Sequence, residues 1–217
     1  KVFVSAAVAL GLMLAAFSEG REFPPDPWQI RPLLTGASVP PFTARAPDGS
    51  PWTFDPESLE GPVILTFYRG SWCPYCTRHL MEYRTIENDL LQLGYRLVFL
   101  SPDRPDLLRA EQGQEPLSYE LVSDSRMAAA EALGVAFRLD DATAARYREA
   151  GVDLAEASGE RHGLLPVPST WIIGADGAFS SVRARMQRLD RFDYRQDYLR
   201  HGYKELEIPA GADGSHQ

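Results

Sequence analysis

The feature that most constrains the fold of this chain is a buried strand that runs directly into a helix and then a second buried strand. Residues 62–68 (PVILTFY) form a continuous apolar run rich in β-branched and aromatic residues, typical of a strand buried on both faces. Residues 95–101 (YRLVFLS) predict the second strand. Because a strand–helix–strand order normally gives a right-handed crossover, we expect the two strands to be parallel. Between them, apolar residues recur at helical spacing up to a glycine at position 94, at Cys76, Leu80, Tyr83, Ile86, Leu90 and Leu93.

Two β-hairpins are predicted on either side of this unit. Strand-like runs at 42–46 and 52–54 enclose Asp48-Gly49, a dipeptide typical of tight hairpin turns. Residues 169–173 and 178–183 flank a Gly-Ala-Asp-Gly segment in the same way. The first hairpin would extend the domain at its N-terminal side.

The remaining patterns favour helices. Ser123 is expected to cap a helix over 126–133, which a glycine ends. The alanine-rich, acidic segment 140–161 predicts a helical insertion, and 189–207 predict a final helix. We therefore expect one α/β domain, with a central mixed sheet flanked by helices, an N-terminal β-hairpin extension and a helical insertion.

The N-terminal segment predicts export. Residues 2–17 are apolar and uncharged and follow Lys1, which is typical of a secretory signal peptide, and the run is short for a membrane span. An uncleaved N-terminal anchor is the alternative. Either way the domain would lie outside the cytoplasm, most simply in a periplasm. The expected organisation is a signal peptide or anchor over 1–20, an extended linker over 21–40, the folded domain over 41–208 and a disordered tail over 209–217.

Charge and cysteine spacing narrow the class of function. Nucleic-acid binding needs a basic face, so a net charge of −8 argues against a nucleic-acid partner. The two cysteines, Cys73 and Cys76, lie three positions apart, and a disulfide that closes so short a ring removes little entropy from the unfolded chain. There is no second CxxC to complete a zinc site, and Thr77 stands where haem attachment needs a histidine. The pair is therefore better placed for redox exchange than for stability or for a metal.

The position of the cysteines explains how they would react. Cys73 falls where the strand gives way to the helix, so free backbone N–H groups and the positive end of the helix dipole face its sulfur. A thiolate is stabilised there, and Pro74 suits the first helical turn because its missing N–H costs nothing. Cys73 would attack as an accessible thiolate, and Cys76 would resolve the mixed disulfide.

Residues around the cysteines are expected to contact substrate. These residues are Trp72, Pro74 and Tyr75 beside the cysteines, and Val167 and Pro168 before a predicted strand. A proline at a strand start is often cis, and in a thioredoxin fold this one would lie beside the nucleophile and present backbone to the substrate. Arg69 is a further candidate, because its positive charge would stabilise a thiolate.

These segments resemble the peroxiredoxin-like AhpC/TSA proteins of the thioredoxin superfamily. The likeness is strongest at 67–76 (FYRGSWCPYC) and is supported at 41–43, 100–103, 121–124 and 165–170, so that it covers roughly 38–200. The resemblance implies a thioredoxin-like fold and antioxidant or disulfide-exchange chemistry that uses a redox-active Cys73–Cys76 disulfide and no other cofactor.

The sequence also departs from the family pattern. Peroxiredoxins share the motif Pro-x-x-x-Thr/Ser-x-x-Cys, and neither cysteine of this chain fits it. If Cys76 is taken as the motif cysteine, Arg69 and Cys73 occupy the Pro and Thr/Ser positions. If Cys73 is taken instead, Thr66 and Gly70 occupy them. Thr66 also stands where thioredoxins commonly bury an acid. Proton transfer at Cys76 would then need water or another group.

Three functions remain open from the sequence. The leading hypothesis is an exported thiol–disulfide oxidoreductase that acts on protein thiols or disulfides. The second is a thiol-dependent peroxidase that reduces hydroperoxides and is recycled by a thiol reductant. The third, from another class, is a non-enzymatic Cu(I) carrier that uses the two thiolates. A membrane would be a partner only if the N-terminal segment stays uncleaved.

Overall fold

A computed structural model describes residues 22–112 and 118–174, together with the backbone of 197–198 and 204–205. The predicted export segment 1–20, the strand over 178–183 and the tail 209–217 lie outside the described residues. Most of the final helix predicted over 189–207 also lies outside them. The parts of it that are described form two short antiparallel strands instead, Asp197–Tyr198 and Lys204–Glu205.

The strands of the domain, in chain order, are β1 (Phe42–Arg45), β2 (Pro51–Phe54), β3 (Val63–Phe67), β4 (Arg96–Ser101), β5 (Glu120–Ser123), β6 (Ala136–Arg138), β7 (Leu164–Pro166) and β8 (Ser169–Ile173). The centre of the fold is a six-stranded mixed sheet in the order β2-β1-β5-β4-β3-β8. Strands β3, β4 and β5 are parallel, while β8 runs antiparallel to β3 and the β1–β2 hairpin joins β5 in antiparallel fashion. A separate two-stranded sheet pairs β6 with β7.

Five α-helices occur within the described ranges. The longest follows β3 and leads into β4, which confirms the predicted strand–helix–strand unit. The helical insertion is also present and lies between β6 and β7. The helices are α1 (Pro74–Gln92), α2 (Pro105–Gln112), α3 (Ala128–Ala132), α4 (Asp141–Glu149) and α5 (Leu154–Ser158).

Alternating residues of the central strands divide the core between the two faces of the sheet. Val63, Leu65 and Phe67 of β3 belong to the larger cluster, which the β1–β2 hairpin and α3 cover. Ile64 and Tyr68 point to the other face, where they join the smaller cluster that contains both cysteines and part of α1. The two sulfurs are therefore built into the packing of α1 on the sheet.

The apolar face of α1 packs against the smaller core cluster along most of the helix. Leu80 is buried, and Tyr83, Leu90 and Leu91 are partly buried against the same cluster. Ile86 and Leu93 share the helical spacing of these residues but are exposed, and Leu93 lies at the C-cap of the helix.

One local expectation needs correction. The first turn of α3 is capped by Asp124 rather than by Ser123, since the Asp124 carboxylate accepts the N–H groups of Ala129 and Ala130, each at 2.9 Å. In the described part of the expected linker 21–40, Val39 is a buried member of the larger core cluster, and Phe23, Ile30 and Leu33 pack against that cluster.

Candidate active site

The turn between β3 and α1 places Cys73 at the N-cap of the helix. Its backbone is extended, with φ −94° and ψ 107°, and Pro74 opens the helix behind it. The Cys73 N–H donates to the Gly70 carbonyl at 3.1 Å, and its carbonyl accepts the Thr77 N–H at 3.0 Å. This is the position at which the helix dipole favours negative charge on the sulfur.

The two sulfurs are in direct contact but carry their protons differently. The Cys76 thiol donates a hydrogen bond to Cys73 Sγ at 2.9 Å. Burial opposes ionisation of Cys73, but the hydrogen bond from Cys76 and the charge of Arg69 outweigh it, so the pKa of Cys73 is lowered. Burial and the adjoining Cys73 raise the pKa of Cys76. The arrangement fits an ionised Cys73 and a protonated Cys76.

Neither sulfur is open to solvent, which corrects the expectation of an accessible thiolate. Cys73 is 1% exposed and Cys76 is 7% exposed. The next two residues, Pro74 and Tyr75, are exposed, the latter by 74%. The half-buried Trp72 packs against the same cluster. A substrate must therefore displace neighbouring side chains to reach the sulfur.

Arg69 contacts Cys73 directly. Its Nη2 donates to Cys73 Sγ at 3.3 Å, and its Nη1 donates to the Tyr147 hydroxyl at 3.1 Å. Tyr147 belongs to α4 in the insertion, and its ring meets the Trp72 ring edge-on, with 5.3 Å between centroids. No sequence pattern indicates Tyr147 as a site residue, because its approach to Arg69 depends on how the insertion folds back onto the turn.

Asp103 holds the turn through a hydrogen bond, and the sequence analysis did not identify it as a site residue. Its side chain is fully buried, and Oδ2 accepts the Ser71 N–H at 2.7 Å. Burial raises the pKa of this carboxyl. Gly70 adopts φ +140°, and a Cβ built on it would lie 2.7 Å from Asp103 Oδ1 and closer still to Trp72 Nε1. The turn therefore needs glycine at position 70 to approach the carboxylate this closely.

The segment before β8 lies at the same end of the sheet as the cysteine turn. Phe67 at the end of β3 pairs with Ser169 at the start of β8, so Pro168 stands just beyond this pair. Pro168 is exposed, whereas Val167 packs on the larger core cluster and donates its N–H to the Val135 carbonyl at 2.9 Å. No cis peptide occurs in the described part of the chain, so the cis bond expected before Pro168 is wrong.

Comparison with known proteins decides the family. A sequence model of the AhpC/TSA family matches residues 35–181, about two thirds of the chain, including both cysteines and the central sheet. The chain belongs to the AhpC/TSA family.

Solved structures share the AhpC/TSA fold with this chain. Peroxidoxin BcpB from Mycobacterium tuberculosis is 23% identical and superposes on 67% of this chain and 81% of its own, with a TM-score of 0.51. The bacterioferritin comigratory protein of Xanthomonas campestris is 14% identical and covers 70% of this chain and 85% of its own, with a TM-score of 0.50. These likenesses show the thioredoxin-like fold.

Curated relatives match only short parts of this AhpC/TSA protein. The kynurenine 3-monooxygenase of Salinispora tropica is 44% identical over 99 residues, which are 45% of this chain and 21% of that protein. The enzyme of the same name from Flavobacterium psychrophilum is 61% identical over 58 residues, which are 27% of this chain and 13% of that protein. The chain thus spans about a fifth or less of these relatives.

Where thioredoxins commonly bury an acid, this AhpC/TSA protein has three hydroxyl groups. Thr66 Oγ1 lies 3.2 Å from the Tyr83 hydroxyl and 3.3 Å from Thr170 Oγ1, and the last two are 3.1 Å apart. Within the described ranges, no group of three or more His, Cys, Asp or Glu side chains could hold a metal ion, and no helix is long and apolar enough to cross a membrane.

Proposed function

We propose that the chain is a thiol–disulfide oxidoreductase in which Cys73 attacks and Cys76 resolves. The observation that carries this proposal is the contact between the two sulfurs at 2.9 Å, with Cys76 as the donor. In this contact, Cys73 Sγ is the acceptor and ionises readily, and Cys76 Sγ is a second sulfur already within reach of it. The opposite directions of their two pKa shifts support the same assignment of roles.

The reaction balances as two successive displacements. The Cys73 thiolate attacks one sulfur of the substrate disulfide, forms a mixed disulfide and releases a substrate thiolate, which takes up a proton. Cys76 then loses its proton and attacks Cys73 Sγ, which forms the Cys73–Cys76 disulfide and releases the second substrate thiol. The substrate gains two electrons and the enzyme loses two. The same steps in reverse oxidise a substrate dithiol.

Family membership favours a second candidate, a thiol-dependent peroxidase. The Cys73 thiolate would attack a hydroperoxide oxygen, which forms a sulfenic acid and releases an alcohol or water after protonation. Cys76 would condense with the sulfenic acid to give the disulfide and water, and an external thiol would then reduce the enzyme. Arg69 beside Cys73 would stabilise the charge that develops on the peroxide.

Stopped-flow kinetics separate these two reactions. Reduced protein is mixed either with hydrogen peroxide or with a peptide disulfide, and Cys73→Ser and Cys76→Ser serve as matched variants. The oxidoreductase proposal expects fast reaction with the disulfide and, with peroxide, a rate no faster than that of a free thiol. Fast reaction with peroxide at Cys73 would make the peroxidase the correct assignment, and slow reaction with both would reject the proposed function.

The direction of electron flow follows from the reduction potential of the Cys73–Cys76 pair. A potential near about −270 mV would suit a reductant, and one near about −120 mV would suit an oxidant. Equilibration with glutathione buffers, read by mass spectrometry after thiol trapping, measures this value.

We also propose that the enzyme acts outside the cytoplasm. The proposal is supported by the apolar segment 2–17 behind Lys1, which is typical of an export signal. Fusing residues 1–40 to a reporter that is active only in the periplasm tests it. A reporter that stays inactive, while a fusion to a known export signal is active, would contradict the proposal.

A further inference from the structure

We propose that Tyr147 is a positioning residue, whose hydroxyl holds the Arg69 guanidinium against Cys73 Sγ. The helical insertion would then be part of the active site rather than a peripheral addition. This inference rests on the proposed function only in taking Cys73 as the attacking sulfur.

The guanidinium of Arg69 bridges Tyr147 and Cys73. Arg69 Nη1 donates to the Tyr147 hydroxyl at 3.1 Å, while Nη2 donates to Cys73 Sγ at 3.3 Å. The guanidinium is planar, so its two terminal nitrogens keep a fixed relation to each other. Holding Nη1 therefore orients Nη2 toward the sulfur.

Among the described residues, the Arg69 side chain forms hydrogen bonds only with Tyr147 and Cys73. Its Nε is buried and has no hydrogen-bond partner in that part of the chain. A buried donor without a partner is costly, so the position of the guanidinium depends on its bonds to the Tyr147 hydroxyl and to Cys73 Sγ.

Tyr147 is itself held in place by ring packing and by the cap of its helix. Its ring meets the Trp72 ring edge-on, at an interplanar angle of 75°. At the start of the same helix, the Asp140 carboxylate accepts the Thr143 N–H at 2.8 Å, which caps α4. A fixed ring on a capped helix keeps the hydroxyl at one position, which suits a residue that orients another.

The substitution Tyr147→Phe tests this role, because it removes the hydroxyl and keeps the ring on Trp72. The rate of alkylation of Cys73 by iodoacetamide is measured against pH in a Cys76→Ser background. We expect the profile to move to higher pH and the rate at pH 7 to fall about 3- to 10-fold, as for the loss of one hydrogen bond of ordinary strength. An unchanged profile would overturn the inference.

A double-mutant cycle tests whether the hydroxyl acts through Arg69. In an Arg69→Met background, Tyr147→Phe should change neither the rate nor the pH profile further, because the group that it positions is gone. An equal loss in both backgrounds would overturn the inference. Tyr119→Phe is the matched control, since Tyr119 packs its ring on Phe99 on the same face of the sheet, and it should leave the profile unchanged.

The outcome also separates this inference from the proposed function. If Cys76 in a Cys73→Ser variant reacts faster than Cys73 in a Cys76→Ser variant, the proposed roles of the cysteines fail. If Cys73 is the faster sulfur but Tyr147→Phe has no effect, only the positioning role fails.

Discussion

Gly70→Ala should strongly destabilise the protein because the turn before Cys73 has no room for a side chain. Gly70 has φ +140°, a conformation that L-residues rarely adopt. A Cβ there would lie 2.7 Å from Asp103 Oδ1. Asp103 is fully buried and accepts the Ser71 N–H, so its carboxylate cannot move away without breaking that bond.

Two terms set the size of the effect. The unfavourable backbone conformation costs about 1–3 kcal/mol in a residue other than glycine. Forcing a methyl group into a packed site costs about 1–3 kcal/mol more. Gly70→Ala should therefore lower the free energy of unfolding by about 2–6 kcal/mol.

Gly94→Ala is the matched control for the backbone term. Gly94 also has a positive φ, +83°, but a Cβ there would meet no atom within 4 Å. Its substitution should cost only the backbone term, about 1–2 kcal/mol. Urea unfolding of the reduced proteins, followed by circular dichroism, measures both changes. If Gly70→Ala costs no more than Gly94→Ala, the close packing of the turn is refuted.

Three further predictions follow from burial and ionisation. Leu108→Ala should cost about 2–5 kcal/mol in urea unfolding, because Leu108 is fully buried. The exposed Leu34 is its control, and Leu34→Ala should change stability by less than about 0.5 kcal/mol. Burial raises the pKa of Asp124 from 3.8 to about 7, so the folded state holds a proton that the unfolded state releases. Relative to Asp124→Asn, the wild type should therefore lose stability as the pH rises from 3.8 toward 7, and a constant difference would contradict this. Because the pKa of Cys73 is lowered and that of Cys76 is raised, alkylation at Cys73 should level off at the lower pH, as peptide mapping would show.

The sequence predicted the parts of the site that depend on neighbouring residues. The apolar run before Cys73 and the helical spacing after it place the cysteine at a strand-to-helix junction, and the structure has β3 and α1 there. Cys76 follows one turn later, so the contact between the sulfurs needs no long-range information. Local periodicity and a short motif were sufficient to predict both the position of Cys73 and its contact with Cys76.

The remaining features of the site depend on contacts between segments that are far apart in the chain. Tyr147 reaches Arg69 across 78 positions, and Asp103 reaches Ser71 across 32, which no local pattern reports. The burial of Cys73 was missed for a similar reason, since its degree of exposure depends on how distant segments pack around the turn. Ile86 and Leu93 share the helical spacing of the buried residues but are exposed, so periodicity alone does not distinguish them from a buried residue such as Leu80.

The most direct test of the account asks which sulfur attacks first. Reduced Cys76→Ser and Cys73→Ser are each mixed at pH 7 with an aromatic disulfide whose released thiolate is coloured, and peptide mass spectrometry locates the adduct. The account predicts that Cys73 in the first variant reacts at least about 10-fold faster than Cys76 in the second, given its position at the helix N-terminus. Equal rates, or a faster Cys76, would contradict the assignment of Cys73 as the nucleophile.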